Sequence, residues 1–81
     1  MSCLVLFKSI TYAQRGVKVL ERYGISTSLI RKPAQIKANG CGYAALIDCK
    51  KLIVAIGLLN DHSIPNSGAW SKYKGEWVIL D

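Results

Sequence analysis

Gly40-Cys41-Gly42 holds a cysteine between two glycines, directly ahead of the apolar segment Tyr43–Ile47. A cysteine that only fills space sits inside a strand or helix and has no need of flanking glycines. Glycine neighbours leave the sulfur unshielded and allow backbone conformations closed to other residues. That pattern suits a thiol offered to something outside the chain. A reachable thiolate with a pKa near ambient pH is a good nucleophile toward another sulfur atom. Arg31, Lys32 and Lys37 lie close in sequence and would favour the anion if folded nearby. The amides around Gly40 and Gly42 could form an anion-binding concavity. The plainer alternative is a tight turn in which the cysteine is incidental.

Two further cysteines compete for attention. Cys49 is expected in the first turn of a helix, where the macrodipole and Lys50-Lys51 favour a thiolate, and it could act as a resolving thiol for Cys41. Cys3 opens an apolar strand and reads as a packing residue. The cysteines are separated by 37 and 7 residues, unlike the paired spacings of zinc sites, so no metal is expected. His62 stands alone on a polar stretch and is read as a capping or solvated residue. The carboxylates Glu21, Asp48, Asp61, Glu76 and Asp81 form no catalytic pair, and no phosphate-binding glycine loop is present. These absences point away from an enzyme with its own turnover, and no cofactor is expected.

The elements that must position Cys41 follow from patterning. Cys3–Phe7 is a continuous apolar run, as expected of a buried strand. Ser9 offers an N-cap to a helix whose inner face carries Ala13, Val17 and Leu20, with Ile10 and Tyr23 flanking it. Gly24 ends that helix, and Gly16 within it predicts a close approach to the sheet. Ile25–Ile30 is a second strand, stopped by Arg31-Lys32-Pro33. Residues 34–39 form a loop or single helical turn leading to Cys41, and Tyr43–Ile47 is the third strand. Asp48 then caps a helix from Cys49 to about Asn60, with Leu52, Ile53, Ile56 and Leu59 on its buried face. Ile64–Gly68 is linker-like. Beyond it, Trp77–Leu80 could form a fourth strand after a turn at Lys74-Gly75, or the tail could pack across a dimer partner.

The order β-α-β-β-α(-β) predicts a small two-layer α+β sandwich, ferredoxin-like in arrangement. We expect a compact α+β domain over residues 1–63. Residues 64–81 are expected as a C-terminal aromatic extension, packing on that domain or on a partner copy.

Composition bounds the setting. The chain has 81 residues, 51% of them apolar, enough for one modest core. Its net charge of +6 favours acidic partners, although no run of like charge exceeds two residues. Leu52–Leu59 falls far short of the roughly 20 residues needed to span a bilayer. The N-terminus lacks the features of a signal peptide. Three cysteines without an obvious pairing suggest a reducing compartment, so a cytoplasmic protein with no membrane association is expected.

Phe7-x-Ser9-x-x-x-Ala13, Gly24-Ile25, Arg31-x-Pro33 and Cys41-Gly42-x-Ala44 together resemble the selenium/sulfur carrier-like family, whose short bacterial members are compared with sulfur carriers of the SirA/TusA type. The resemblance covers about the first sixty residues. It implies that Cys41 carries a persulfide or selenium adduct, received from a cysteine desulfurase-like donor and passed to an acceptor protein. The Cys-Pro-x-Pro motif of the better-known carriers is absent here. A second reading is a noncatalytic protein- or RNA-binding module with a passive cysteine. In that reading Trp70, Tyr73 and Trp77, with Lys72 and Lys74, would supply stacking and charge.

Overall fold

The computed structural model describes residues 1–37 and 42–80. The elements run β1 (Ser2–Phe7), α1 (Ile10–Arg22), β2 (Ser28–Arg31), β3 (Tyr43–Asp48), a short 3-10 turn (Cys49–Lys51), α2 (Leu52–Asp61), β4 (Asn66–Tyr73) and β5 (Glu76–Leu80). The strands form one antiparallel sheet in the order β2-β3-β1-β4-β5. The first four strands have the ferredoxin-like order, with β5 added at one edge by a hairpin. The α+β two-layer expectation is met. Among the described residues no helix is long and apolar enough to cross a membrane.

β1 lies at the centre of the sheet, which explains its unbroken apolar run. Both faces of a central strand are covered, so alternate residues cannot be polar. Cys3, Val5 and Phe7 face the helices, while Leu4 and Leu6 face the other side. α1 forms where its sequence signals place it. The Ser9 hydroxyl accepts from the Tyr12 amide at 3.2 Å, and Gly24 adopts φ +81° while Ile25 N–H returns to Leu20 O at 2.9 Å. Ala13 and Leu20 are fully buried, whereas Ile10 and Tyr23 stay exposed at the helix ends. Gly16 meets the sheet as expected: a Cβ there would lie 2.7 Å from Cε1 of Phe7.

α2 departs from the reading of its buried face. Ala55 and Leu59 are buried, Leu52 and Ile56 are half-buried, and Ile53 is 87% exposed. Asp48 caps not α2 itself but the 3-10 turn ahead of it, its carboxylate accepting from Lys50 N–H at 3.0 Å.

In the tail the linker-like reading of residues 64–68 departs from expectation, whereas the strand expected at Trp77–Leu80 forms as β5. The linker-like stretch contains buried Ile64 and the first residues of β4, which pairs with β1. Pro65 immediately precedes the strand, where its missing N–H costs no ladder bond. Gly68 takes φ +124°, and the Trp70 indole lies across it. Lys74 and Gly75 both have positive φ, the requirement of a two-residue type I′ turn, and they join β4 to β5.

Candidate functional site

Cys41 and Gly40 lie outside the described residues, so the site is built from the residues on either side. β2 ends at Arg31, whose guanidinium sits 5.9 Å from the Tyr43 ring centroid on β3. One residue later Lys32 N–H donates to Gly42 O at 2.7 Å. That bond closes the mouth of the β2–β3 loop immediately beside the β2–β3 ladder. Inside the loop Ile36 N–H donates to Pro33 O at 3.0 Å, closing a turn over Pro33–Ile36, the described part of the loop or helical turn expected at residues 34–39.

Ile36 is the loop's anchor. Its side chain is 4% exposed and packs with Leu4, Leu6, Ala44 and Trp70 on the sheet face away from the helices. Ile30, Leu46 and Trp77 border this second core. Burying an isoleucine side chain stabilises by about 1.5–3 kcal/mol. The stem of the Cys41 loop is therefore held at two points, by a backbone bond at its mouth and by an apolar side chain.

Gly42 is exposed, and among the described residues nothing lies within 4 Å of where a Cβ on it would stand. Lys37 is exposed at the loop's outer side and Arg31 is exposed at its base. Both cations precede Cys41 in the chain.

Cys49 is engaged elsewhere. It is bonded to Cys3 in a disulfide, with Cα atoms 5.0 Å apart. The sequence had suggested no pairing, and the β1–β3 register supplies the reason for one. Cys3 stands opposite Ile47, which puts Cys49 diagonally beside it on the helix-facing side. The amide of Cys49 also donates to Met1 O at 3.0 Å. Cys3 is 1% exposed, a buried residue as read from the sequence, and also a cross-link. While the bond stands, Cys49 has no thiol to offer Cys41. At this end of the sheet the Lys50 amide holds the Asp48 carboxyl below its ordinary pKa, with the N-terminus, Lys50 and Lys51 adding to the effect.

His62 caps the end of α2: Nδ1 lies 2.9 Å from Leu58 O, and the ring meets Tyr23 edge-on at 5.6 Å. The aromatic cluster of the tail is divided. Trp70 is buried, Trp77 is half-buried with the Lys72 ammonium 5.6 Å from its ring centroid, and Tyr73 is exposed beside Lys74. Phe7 is fully buried. The tryptophan at the centre of the cluster thus belongs to the core. Sequence reasoning missed Ile36, whose burial depends on Leu6 and Trp70 far away in the chain.

Neither a curated protein nor a solved structure matches this chain. Residues 2–71 match the model of the family described as Putative Se/S carrier protein-like, a span running from β1 into β4 and including Cys41. With that share of its length matched, the chain belongs to the Se/S carrier protein-like family.

Proposed function

We propose that this protein is a stoichiometric carrier of sulfur or selenium, with Cys41 as the carrying residue. The observation that supports this most is the family match, which spans the glycine-flanked cysteine. The anchored stem adds to it. A carrier must offer its cargo at a defined place, and Ile36 together with the Lys32–Gly42 bond fixes where the loop leaves and rejoins the sheet.

In the cycle, the Cys41 thiolate attacks the outer sulfur of a donor persulfide. The new S–S bond forms at Cys41 as the donor's S–S bond breaks, and the donor cysteine leaves as a thiolate. An acceptor thiolate then attacks the outer sulfur and releases Cys41 unchanged, with no net oxidation in either step. Arg31 and Lys37 stabilise the anionic forms, and a cysteine desulfurase-like protein is the donor. Cytoplasmic residence belongs to the proposal, because a free thiol cargo site needs reducing surroundings. In such surroundings Cys3 and Cys49 stand as a dithiol for part of the population.

Incubation with a cysteine desulfurase and cysteine, followed by intact-mass measurement, tests the reading. The expected result is a gain of one sulfur atom per chain, discharged by a thiol reductant. A chain that stays unloaded under conditions that load an established carrier counts against the reading.

A further inference from the structure

The two edges of the sheet are finished differently. β2 is four residues long, ends at Arg31 and is followed at once by Lys32-Pro33. A short strand with flanking cations and proline is protected against adding another strand. β5, one residue longer, has charge only at its ends, Glu76 and Asp81, and no cation or proline within it. Its sequence Glu-Trp-Val-Ile-Leu has no lysine, arginine or proline, and Val78 and Ile79 are 44% and 61% exposed.

The hairpin sets which backbone groups of β5 face outward. Tyr73 and Glu76 close the two-residue turn and form a hydrogen-bonded pair, so Val78 and Leu80 also bond toward β4. The N–H and C=O groups of Trp77 and Ile79 then point away from β4 at the sheet edge. Two such edges related by a twofold axis at Val78 are complementary. Trp77 stands opposite Ile79 of the second copy, all four outward amide–carbonyl pairs close, and Val78 meets Val78 of the second copy at about 4.5 Å between Cα atoms.

Side chains fit the same register. Trp77 and Ile79 lie on the face away from the helices and become cross-strand neighbours. Val78 and Leu80 lie on the helix side, where Leu80 borders a groove of about 350 Å³ lined also by Leu52, Ile53, Ile56 and Ala69. Charge favours a second copy as well. In a chain of net charge +6, residues 52–71 and 75–81 contain no lysine or arginine. Lys72, over the Trp77 ring, and Lys74, in the turn, are the cations near this edge, and neither lies on β5 itself, so copies that repel one another elsewhere meet there with fewer opposing cations.

From this geometry we propose that β5 is the self-association edge of the protein, joining two chains into one continuous ten-stranded sheet.

Sedimentation or light scattering on the full chain at high micromolar concentration tests this. The wild type is expected at twice the 8.9 kDa chain mass. Val78→Lys, which sets two like charges face to face, is expected at the monomer mass with an unchanged circular dichroism spectrum. Ile79→Pro removes an outward N–H without breaking the β4–β5 ladder and is expected to do the same. In a Cys41→Ser background, Val78→Cys is expected to cross-link the two chains on mild oxidation, since it lies at the twofold axis. A monomeric wild type at these concentrations overturns the proposal and leaves the edge to a strand from another protein. A dimer that survives Val78→Lys, or a Val78→Cys chain that does not cross-link, overturns it equally.

Discussion

The two faces of this sheet are covered by different means. On one face two helices bury Cys3, Val5 and Phe7, α1 lies against Phe7 at Gly16, and a disulfide ties the start of β1 to the turn before α2. On the other a single loop residue, Ile36, joins Trp70 over Leu4 and Leu6. The first face closes its sulfur atoms into a bond. The second is covered by the loop that continues to Cys41. Packing from two helices ties the first face to distant parts of the chain, while the described part of the loop on the second is held by one backbone bond at its mouth and by one apolar anchor. The contrast places the Cys3–Cys49 bond on the helix side of the sheet and the stem of the Cys41 loop on the other.

Substitutions can break this contrast, and the helix side should respond most. Phe7→Ala is expected to cost about 3–5 kcal/mol, measured by denaturant unfolding, because the ring fills the notch at Gly16. Opening the Cys3–Cys49 bond by reduction should cost about 2–4 kcal/mol in the same assay, given the 46-residue separation it closes. Cys41→Ser should leave that cost unchanged. On the other face Ile36→Ala is expected to cost about 2 kcal/mol, at the low end for such truncations because a loop can settle into the space. Its particular signature is faster hydrogen exchange at the Ile36 amide, which now bonds to Pro33. If Ile36→Ala cost as much as Phe7→Ala, the two faces would not differ as described.

The smallest effect is acid-dependent and confined to the disulfide end. The folded-state pKa of Asp48 is lowered by its bond to the Lys50 amide, so its contribution is complete above the ordinary carboxylate value. That contribution is lost as pH falls through the lower folded value. Melting temperatures between about pH 5 and pH 2 should therefore fall slightly more for the wild type than for Asp48→Asn, which keeps an uncharged cap. Equal slopes would show that the cap's charge contributes nothing.

The legible parts of this fold were those specified by neighbours in sequence. The Ser9 cap, the Gly24 stop and the Lys74-Gly75 turn each depend on residues within one or two turns of chain, and the Gly16 notch was legible because a glycine inside a helix signals a close approach. α2 was legible as a helix but not in its orientation. It is apolar on every side, so periodicity could not tell the buried Ala55 from the exposed Ile53. The first half of β4 was hidden because Pro65 and Gly68 also mark loops, and only pairing with β1 makes the segment a strand. The disulfide was hidden for a related reason, since it follows from the β1–β3 register. At the candidate site, Cys41 stood out through its own neighbours, whereas Ile36 did not.

Sulfur loading on two complementary variants tests the central claim most directly. With a cysteine desulfurase and cysteine, Cys3→Ser/Cys49→Ser should gain one sulfur atom per chain, as the wild type does, while Cys41→Ser should gain none. Loading that persists in Cys41→Ser and disappears from the double variant would place the cargo on the other face of the sheet and contradict the account.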